Sequence, residues 1–148
     1  MIKNKSVLAI IPARAGSKRI PNKNIKEFSG KPLIIHTIEH ALATSYIDRV
    51  IVDTDSEEIA NIARENGADV PFLRPSELSQ DSSQVIDSII YTLNKLKKDE
   101  GYDPAYVFIL QTTSPLREVQ DIDKCWDLMQ RSNATTVLTV CSTHPRLY

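Results

Sequence analysis

Short apolar runs alternate along this chain with segments whose apolar residues recur at helical spacing. Residues 7–11, 49–52 and 106–110 are short and almost continuously apolar, which is typical of strands that are covered on both faces. The segments between them show the periodicity of amphipathic helices. Because strands separated by helices pair in parallel, the sequence predicts a Rossmann-like α/β fold with a mostly parallel sheet and helices on both faces.

Apolar periodicity and helix-capping residues predict the remaining elements. Helices are expected at residues 33–42, 83–98 and 122–129. Asp55 can cap a further helix, with Glu58 placed to complete a capping box and Gly67 placed to end it. We expect a short extended segment at 70–73, at an edge of the sheet because it contains a proline, and a last strand at 136–141.

Length and composition fit one domain. The 148 residues are 41% hydrophobic and 25% charged, which is ordinary for a globular protein in water, and no apolar run approaches the length of a membrane-spanning helix. The first apolar run is too short for a signal peptide. Cys125 and Cys141 have no metal-ligand spacing, and two cysteines do not make a disulfide framework. The prediction is a single domain over residues 1–148 in a reduced, cytoplasmic setting.

The loop after the first predicted strand concentrates positive charge. Although the net charge is −1, six cations fall within eighteen residues and face one acid, Glu27; they are Arg14, Lys18, Arg19, Lys23, Lys26 and Lys31. In parallel α/β folds, ligands bind beyond the carboxyl ends of the strands, where this loop begins. Gly16 lets the backbone approach a ligand, and an arginine fork with lysine point charges suits phosphate. The alternative is a solvated basic loop, and neither the P-loop nor the dinucleotide fingerprint is present.

Four segments carry a family resemblance, in the same order as in the family. Residues 11–24 read Ile-Pro-Ala-Arg-Ala-Gly-Ser-Lys-Arg-Ile-Pro-Asn-Lys-Asn, and the others are Val-Asp-Thr-Asp-Ser at 52–56, Leu-Arg-Pro-Ser-Glu-Leu at 73–78 and Leu-Gln-Thr-Thr-Ser-Pro-Leu-Arg at 110–117. Together they resemble the CMP-sialic acid synthetase (acylneuraminate cytidylyltransferase) family. The chain departs from the family pattern at Asp53 and Val85, where the family has serine, and at Thr112, where it has proline.

The resemblance implies phosphate-binding roles, and with them catalytic ones, for Arg14, Lys18 and Lys23. The positions implied to bind the nucleotide are Ala13, Arg14, Asn24 at the ribose, Arg74 and Ser83 near the cytosine, and Gln111 between nucleotide and sugar. For Arg74 the alternative is a surface residue that closes an edge strand. Val85 removes a polar contact to the base, which leaves selectivity for cytosine open at that position.

By resemblance, the complete protein would transfer CMP from CTP to a nine-carbon 2-keto-3-deoxy sugar acid and release pyrophosphate. N-acetylneuraminic, legionaminic and pseudaminic acids are all candidates for the acceptor. The fold would be of the nucleotide-diphosphosugar-transferase type, truncated here, because family members continue past Tyr148 with a dimerisation segment and an Asp-x-Asp pair that binds Mg²⁺. The implied cofactor is Mg²⁺, with no metal ligand in this chain. The implied assembly is a homodimer, and neither nucleic acid nor membrane is an expected partner.

Three other interpretations compete with this one. The strongest, from another functional class, is a truncated, non-catalytic nucleotide-binding domain of the same fold. An unrelated Rossmann-like binding protein would have to match four ordered motifs by chance. His36, Glu39 and His40 also match the His-x-x-Glu-His pattern of inverted zinc peptidases. So short a pattern arises readily by chance, and the segment aligns with an ordinary helix of the family, so zinc is not predicted.

Overall fold

Strands and helices alternate along the chain. The computed structural model describes residues 5–142, and its elements are β1 (Val7–Pro12), β2 (Glu27–Phe28), β3 (Lys31–Pro32), α1 (Leu33–Leu42), β4 (Arg49–Asp53), α2 (Glu57–Glu65), α3 (Val85–Glu100), β5 (Tyr106–Ile109) and α4 (Val119–Arg131). Two short 3-10 turns, Lys23–Ile25 and Ser76–Leu78, lie in the connections. Within the described residues, no helix is both long enough and apolar enough to cross a membrane.

β1 is the central strand of a three-stranded parallel sheet in the order β4–β1–β5. Ile10 pairs with Ile51 on one side and with Ile109 on the other. A parallel bridge between Ile51 and Asp69 adds one more contact beyond β4. The parallel sheet confirms the predicted fold class. Because parallel strands point the same way, the carboxyl ends of β1, β4 and β5 all lie at one edge.

The core lies on both faces of β1. Residues 7–11 are each at most 3% exposed. The cluster on one face consists of Leu8, Ile10, Ile51, Ile89 and Leu96, the last two from α3. Successive side chains of a strand point to opposite faces, so the alternate residues of β1 are buried on the other face. Burial of one such side chain contributes about 1.5–3 kcal/mol, and the loop after β1 therefore starts from a firmly held strand.

α3 differs in detail from its sequence prediction. It begins at Val85 rather than at residue 83, and it is followed by Gly101, whose φ of 66° gives the left-handed conformation that glycine favours at a helix end. Ile89 and Leu96 are buried, whereas Ile86 and Ile90 are 48% and 50% exposed. The apolar residues of this helix are thus only partly covered within the described part of the chain.

The N-terminal cap of α2 is Ser56, and the prediction of Asp55 with Glu58 was wrong by one residue. The Ser56 hydroxyl accepts a hydrogen bond from the Ile59 N–H at 3.3 Å. The Asp55 carboxylate is used elsewhere, because it accepts the N–H of Ala15 at 2.8 Å. A contact over forty residues of sequence therefore overrides the local capping signal.

The predicted extended segment at 70–73 forms no strand. The bridge to β4 is made one residue earlier, by Asp69, whose N–H donates to Val50 O at 2.8 Å and whose carbonyl accepts the Val52 N–H at 2.9 Å. Pro71 has no N–H to continue such a ladder, which explains why the pairing stops there.

The described residues from Arg117 to 142 form one compact unit, and those from 5 to Leu116 form another. In the unit from Arg117, α4 begins with a reciprocal capping box between Glu118 and Asp121. The strand predicted at 136–141 is absent from the described structure, and Leu138 and Val140 in it are 78% and 89% exposed. β-Branched and apolar residues favour a strand only where a neighbouring strand takes up the backbone hydrogen bonds, and residues 136–141 have no such partner in the part described.

Candidate functional site

The cationic loop begins where β1 ends, and three successive residues of its backbone are held from different sides. The Ala13 N–H donates to Asp53 O at 2.9 Å, at the end of β4. The Arg14 carbonyl accepts from Asn24 Nδ2 at 2.9 Å. The Ala15 N–H donates to the Asp55 carboxylate at 2.8 Å. The start of the loop is thus fixed at the carboxyl edge of the sheet, as the sequence predicts for a ligand-binding loop.

Asn24 joins this loop to the segment after β5. Its side chain is buried, with the residue 5% exposed, and its Oδ1 accepts from the Thr112 hydroxyl at 2.6 Å. The 3-10 turn Lys23–Ile25 carries Asn24 inward and is preceded by Asn22 in the left-handed conformation. From the sequence, Thr112 stands out only as a replacement of proline, and its position two residues beyond the predicted strand 106–110 was the available signal. Asn24 and Thr112 therefore connect two of the three strand ends.

Arg14 and Lys18 converge on one carboxylate, that of Asp81. Arg14 Nη1 lies 2.9 Å from one oxygen of Asp81, and Lys18 Nζ lies 2.7 Å from the other. The pKa of Asp81 is lowered from its ordinary value, mainly by the hydrogen bond from Lys18 and next by that from Arg14. Lys23, the third implied phosphate ligand, is half-buried at the start of the 3-10 turn. The geometry thus places an anion between two of the three cations that sequence reasoning singled out.

Arg74 is buried and bound to Asp53, so the alternative of an exposed edge residue is wrong. Its Nε donates to Oδ1 at 2.9 Å, and its Nη2 donates to Oδ2 at 2.7 Å and to the Asp53 carbonyl at 2.9 Å. The two side chains are 4% and 2% exposed. Asp53 stands where the family has serine, and the aspartate supplies the charge that a buried guanidinium requires. Since Asp53 O also accepts from Ala13, this ion pair braces the start of the cationic loop.

Ser83 follows Asp81 by two residues and Gln111 directly precedes Thr112, and Asp81 and Thr112 contact the loop. Ser83 closes a turn around Asp81, because its N–H donates to Gln80 O at 3.0 Å and its hydroxyl accepts from Gln80 N–H at 3.1 Å. Gln111 is exposed and directly precedes Thr112. Val85, the position that replaces a family serine, is 46% exposed at the start of α3. Ser83 and Gln111 are thus tied to the loop only through their neighbours Asp81 and Thr112.

The histidine pattern of α1 serves the neighbouring hairpin. His36 Nε2 lies 2.7 Å from Phe28 O, and the His36 ring meets the Phe28 ring edge-on. Glu39 pairs with Lys31 of β3. These contacts give His36 and Glu39 a structural role between α1 and the β2–β3 hairpin.

Carboxylates near the loop are engaged with protein groups. Within residues 5–142, no group of three or more His, Cys, Asp or Glu side chains is placed to hold a metal ion. Asp53 binds Arg74, Asp55 accepts the Ala15 N–H, and Asp81 binds Arg14 and Lys18. The described residues therefore do not form a cage for Mg²⁺.

Comparison with known proteins identifies relatives among enzymes that are named for CMP transfer. A sequence model of the family described as cytidylyltransferase matches residues 8–144. CMP-N,N'-diacetyllegionaminic acid synthase of Legionella pneumophila is 47% identical over 116 residues, which cover 78% of this chain and 50% of that protein. Pseudaminic acid cytidylyltransferase of Campylobacter jejuni is 46% identical, over 74% of this chain and 47% of that protein. N-acylneuraminate cytidylyltransferase of Escherichia coli is 40% identical, over 84% of this chain and 28% of that protein. The chain thus spans about half the length of the first two relatives, and less of the third.

Solved structures share the fold. A structure of CMP:2-keto-3-deoxy-manno-octonic acid synthetase complexed with CTP has a TM-score of 0.73 at 24% identity, over 87% of this chain and 49% of that one. A cytidylyltransferase from Leptospira borgpetersenii has a TM-score of 0.63 at 24% identity, over 88% of this chain and 51% of that one. The relatives confirm the resemblance that the four motifs indicated. With a match that runs over nearly its whole length, the chain belongs to the cytidylyltransferase family.

Proposed function

We propose that this chain forms the nucleotide-binding part of an enzyme that transfers CMP from CTP to a nine-carbon 2-keto-3-deoxy sugar acid. The observation that carries the proposal is the cationic loop, whose start is fixed by Asp53, Asn24 and Asp55 and whose Arg14 and Lys18 meet around one anion. A triphosphate carries about four negative charges at neutral pH, so several cations from one loop match it. The named activities of the relatives supply the base and the class of acceptor.

Arg14, Lys18 and Lys23 would bind the phosphates and neutralise the charge that develops on them. Arginine offers a planar fork that can grip two phosphate oxygens, whereas the lysines act as point charges that adjust to the third phosphate. Ala13, at the start of the loop, is fixed by the hydrogen bond from its N–H to Asp53 O, and its backbone would contact the nucleotide. In this role Arg14, Lys18 and Lys23 act through their charge and form no covalent intermediate.

Asn24 would serve both the loop and the ribose. Its Nδ2 donates to Arg14 O and its Oδ1 accepts from Thr112, but an amide has a second N–H and a second lone pair. The second N–H is the group we assign to a ribose hydroxyl. Asn24 would thereby couple the position of the sugar ring to the loop that holds the phosphates.

Arg74, Ser83 and Gln111 would surround the base and the acceptor. Nη1 of Arg74 makes no hydrogen bond within the described residues, since Nε and Nη2 serve Asp53, and we assign Nη1 to the cytosine. Ser83 lies in the turn that carries Asp81, and Asp81 contacts the cationic loop. Gln111 can donate to one ligand and accept from the other, which suits a position between nucleotide and sugar.

The reaction would be an in-line displacement. The oxygen of the anomeric hydroxyl would attack the α-phosphorus of CTP and lose its proton to solvent, while the bond from that phosphorus to the oxygen that bridges to the β-phosphate breaks and pyrophosphate leaves. Such transfers depend chiefly on alignment and charge neutralisation, which the fixed loop with its cations supplies. We propose that Mg²⁺ is required as well. It would be held by the Asp-x-Asp pair that the resemblance places past Tyr148 together with the phosphates of CTP, and it would supply positive charge that neutralises those phosphates.

The acceptor class stays broad, because the relatives are named for legionaminic, pseudaminic and N-acylneuraminic acids at similar identity. We also propose that the complete protein is a homodimer and acts in the cytoplasm, where CTP is available. The two free cysteines, Cys125 and Cys141, are compatible with a reducing compartment.

Calorimetric titration with CTP, UTP, GTP and ATP in the presence of Mg²⁺ tests the nucleotide assignment. We expect clear preference for CTP. Pyrophosphate release in the presence of CTP and each of the three sugar acids then tests the transfer. Preference for another base, or no binding by a folded protein, would overturn the cytidylyl assignment. Selective CTP binding without release of pyrophosphate from CTP in the presence of any of the three sugar acids would instead support the non-catalytic alternative.

A further inference from the structure

Asp81 lies where the proposed phosphate ligands converge. Each of its two carboxylate oxygens contacts a different cation, Arg14 Nη1 at 2.9 Å and Lys18 Nζ at 2.7 Å. The two cations come from the loop after β1, whereas Asp81 comes from a turn more than sixty residues later in the sequence. The side chain of Asp81 is 45% exposed, so solvent and solutes reach the same place.

Other interactions hold both Asp81 and the loop that carries Arg14 and Lys18 in place. On the Asp81 side, the Ser83 hydroxyl donates to Glu77 O at 3.0 Å, and Ser83 N–H donates to Gln80 O at 3.0 Å, which closes a turn. On the loop side, Arg14 is held through its carbonyl by the buried Asn24. The carboxylate is therefore presented to the cations by two structures that do not depend on the ion pairs themselves.

A carboxylate and a phosphate offer the same kind of ligand to this pair of cations. Both present two oxygens that share negative charge, and both accept charge-assisted hydrogen bonds from arginine and lysine. Arg14 Nη1 and Lys18 Nζ cannot keep their present short contacts to Asp81 while phosphate oxygens take the same positions. Exposed ion pairs are weak, so a ligand with several charges can displace this one.

We propose that Asp81 is an internal competitor for the phosphate position, which occupies Arg14 and Lys18 in the nucleotide-free protein and lowers the affinity for phosphate-bearing ligands. The inference rests on the proposed function, because that function assigns the two cations to the triphosphate. Binding of CTP exchanges one anion for another, and departure of pyrophosphate lets Asp81 return. The residue thereby limits how tightly the site holds substrate and product phosphates.

Asp81→Asn tests the inference against a matched variant, Glu77→Gln. Glu77 is exposed, lies in the same segment and makes no ion pair within residues 5–142, so its substitution removes the same formal charge without freeing the cations. Affinities of the intact protein for CTP, inorganic pyrophosphate and cytidine are measured by calorimetry at fixed ionic strength and fixed Mg²⁺. We expect D81N to bind CTP and pyrophosphate about three- to tenfold more tightly than the unmodified protein, the range that two exposed ion pairs allow. Cytidine, which has no phosphate, should bind equally to both.

The outcomes separate this inference from the proposed function. Tighter phosphate binding cannot come from a damaged fold, because a damaged fold would lower the affinity for every ligand. If D81N binds pyrophosphate no more tightly than the unmodified protein, or if E77Q tightens binding equally, Asp81 is not a competitor even when CTP is preferred. If D81N tightens pyrophosphate binding but CTP has no advantage over other nucleotides, Asp81 competes for an anion and the cytidylyl assignment fails. Absence of phosphate binding by every folded variant would overturn both.

Discussion

Two arginine–aspartate contacts at the same edge of the sheet have opposite environments. Arg74 and Asp53 are 4% and 2% exposed in their side chains, and the guanidinium bonds both carboxylate oxygens and the Asp53 carbonyl. Arg14 and Asp81 are 34% and 45% exposed and share a single hydrogen bond, with Lys18 on the other oxygen. The same pair of residue types thus forms a closed contact in one place and an open one in the other.

The buried pair supports the fold, whereas the exposed pair can exchange its carboxylate for another anion. A buried charge left without its partner is costly, so Arg74 and Asp53 remain together and hold the strand end from which Ala13 is fixed. An exposed pair contributes little and is screened by salt, so Arg14 can give up Asp81 for another anion. A site that must grip and release a polyanion needs both kinds of contact, a fixed base for the loop and exchangeable cations on it.

The largest effect should follow from opening the buried pair. Arg74→Met leaves the Asp53 carboxylate buried without its partner, and we expect a loss of about 3–5 kcal/mol in the free energy of unfolding, measured by urea denaturation. The same substitution at Arg64 breaks a pair with Glu57 that is 43% and 61% exposed and a hydrogen bond to Val70 O at 3.0 Å, and it should cost less, about 1–2 kcal/mol.

A second substitution sharpens this test. Asp53→Ser, which restores the family residue, should recover part of the loss in the R74M background because no charge then remains stranded. Equal stability losses for R74M and R64M would show that burial does not distinguish the two kinds of pair.

The exposed pair should show the reverse pattern, with a large effect on binding and a small one on stability. Arg14→Ala removes a charged phosphate ligand, and we expect CTP affinity to fall about ten- to a hundredfold by calorimetry. The urea midpoint should shift little, since Arg14 is partly exposed and its backbone carbonyl contact to Asn24 is retained. Unchanged CTP affinity in a folded R14A protein would remove Arg14 from the site.

An intermediate effect is expected where the loop is braced from β5. Thr112→Val removes the hydroxyl that donates to the buried Asn24 Oδ1 and should cost about 1–3 kcal/mol in the free energy of unfolding. Thr112→Ser keeps the hydroxyl and is the matched control. We expect CTP affinity to fall with T112V and not with T112S, because Asn24 then holds Arg14 less firmly. Equal behaviour of the two variants would mean that the hydroxyl does not position the loop.

Sequence alone predicted the scaffold better than the connections that make the site. The apolar runs at 7–11, 49–52 and 106–110 became the three sheet strands, although β5 is only half-buried and its Ile109 is 44% exposed, so the expectation of cover on both faces was wrong for that strand. The cations of the loop were also evident from their clustering. Two of the failures share a cause, since each depends on a partner distant in sequence: Asp55 bonds Ala15 instead of capping α2, and residues 136–141 lack a strand partner in the described chain.

The same limit explains the features that no motif indicated. Asp53 was recognised only as a departure from serine, and its meaning emerged when the fold brought Arg74 against it from twenty-one residues away. Thr112 and Asn24 are eighty-eight residues apart, and the contact between Asp81 and Arg14 spans sixty-seven. Polar contacts of this range depend on topology and on side-chain geometry, whereas helix and strand signals depend on neighbouring residues.

The smallest expected effect is a shift in the pKa of Asp81. Measuring that pKa follows directly whether phosphate replaces Asp81 at Arg14 and Lys18. The pKa of this carboxyl lies below its ordinary value of 3.8 because Lys18 and Arg14 donate to it. A depressed pKa in the folded state stabilises the protein above the ordinary pKa, and this contribution is lost as the pH falls through the folded pKa. Carbon-detected NMR of Asp81 should therefore show titration below 3.8 in the nucleotide-free protein, and a rise of its pKa towards that value in Lys18→Met. Pyrophosphate should raise the pKa in the unmodified protein as well, because it takes over both cations and adds negative charge nearby. If the pKa stays depressed when the site is saturated with pyrophosphate, Asp81 keeps its cations, and the open contact is as permanent as the buried one.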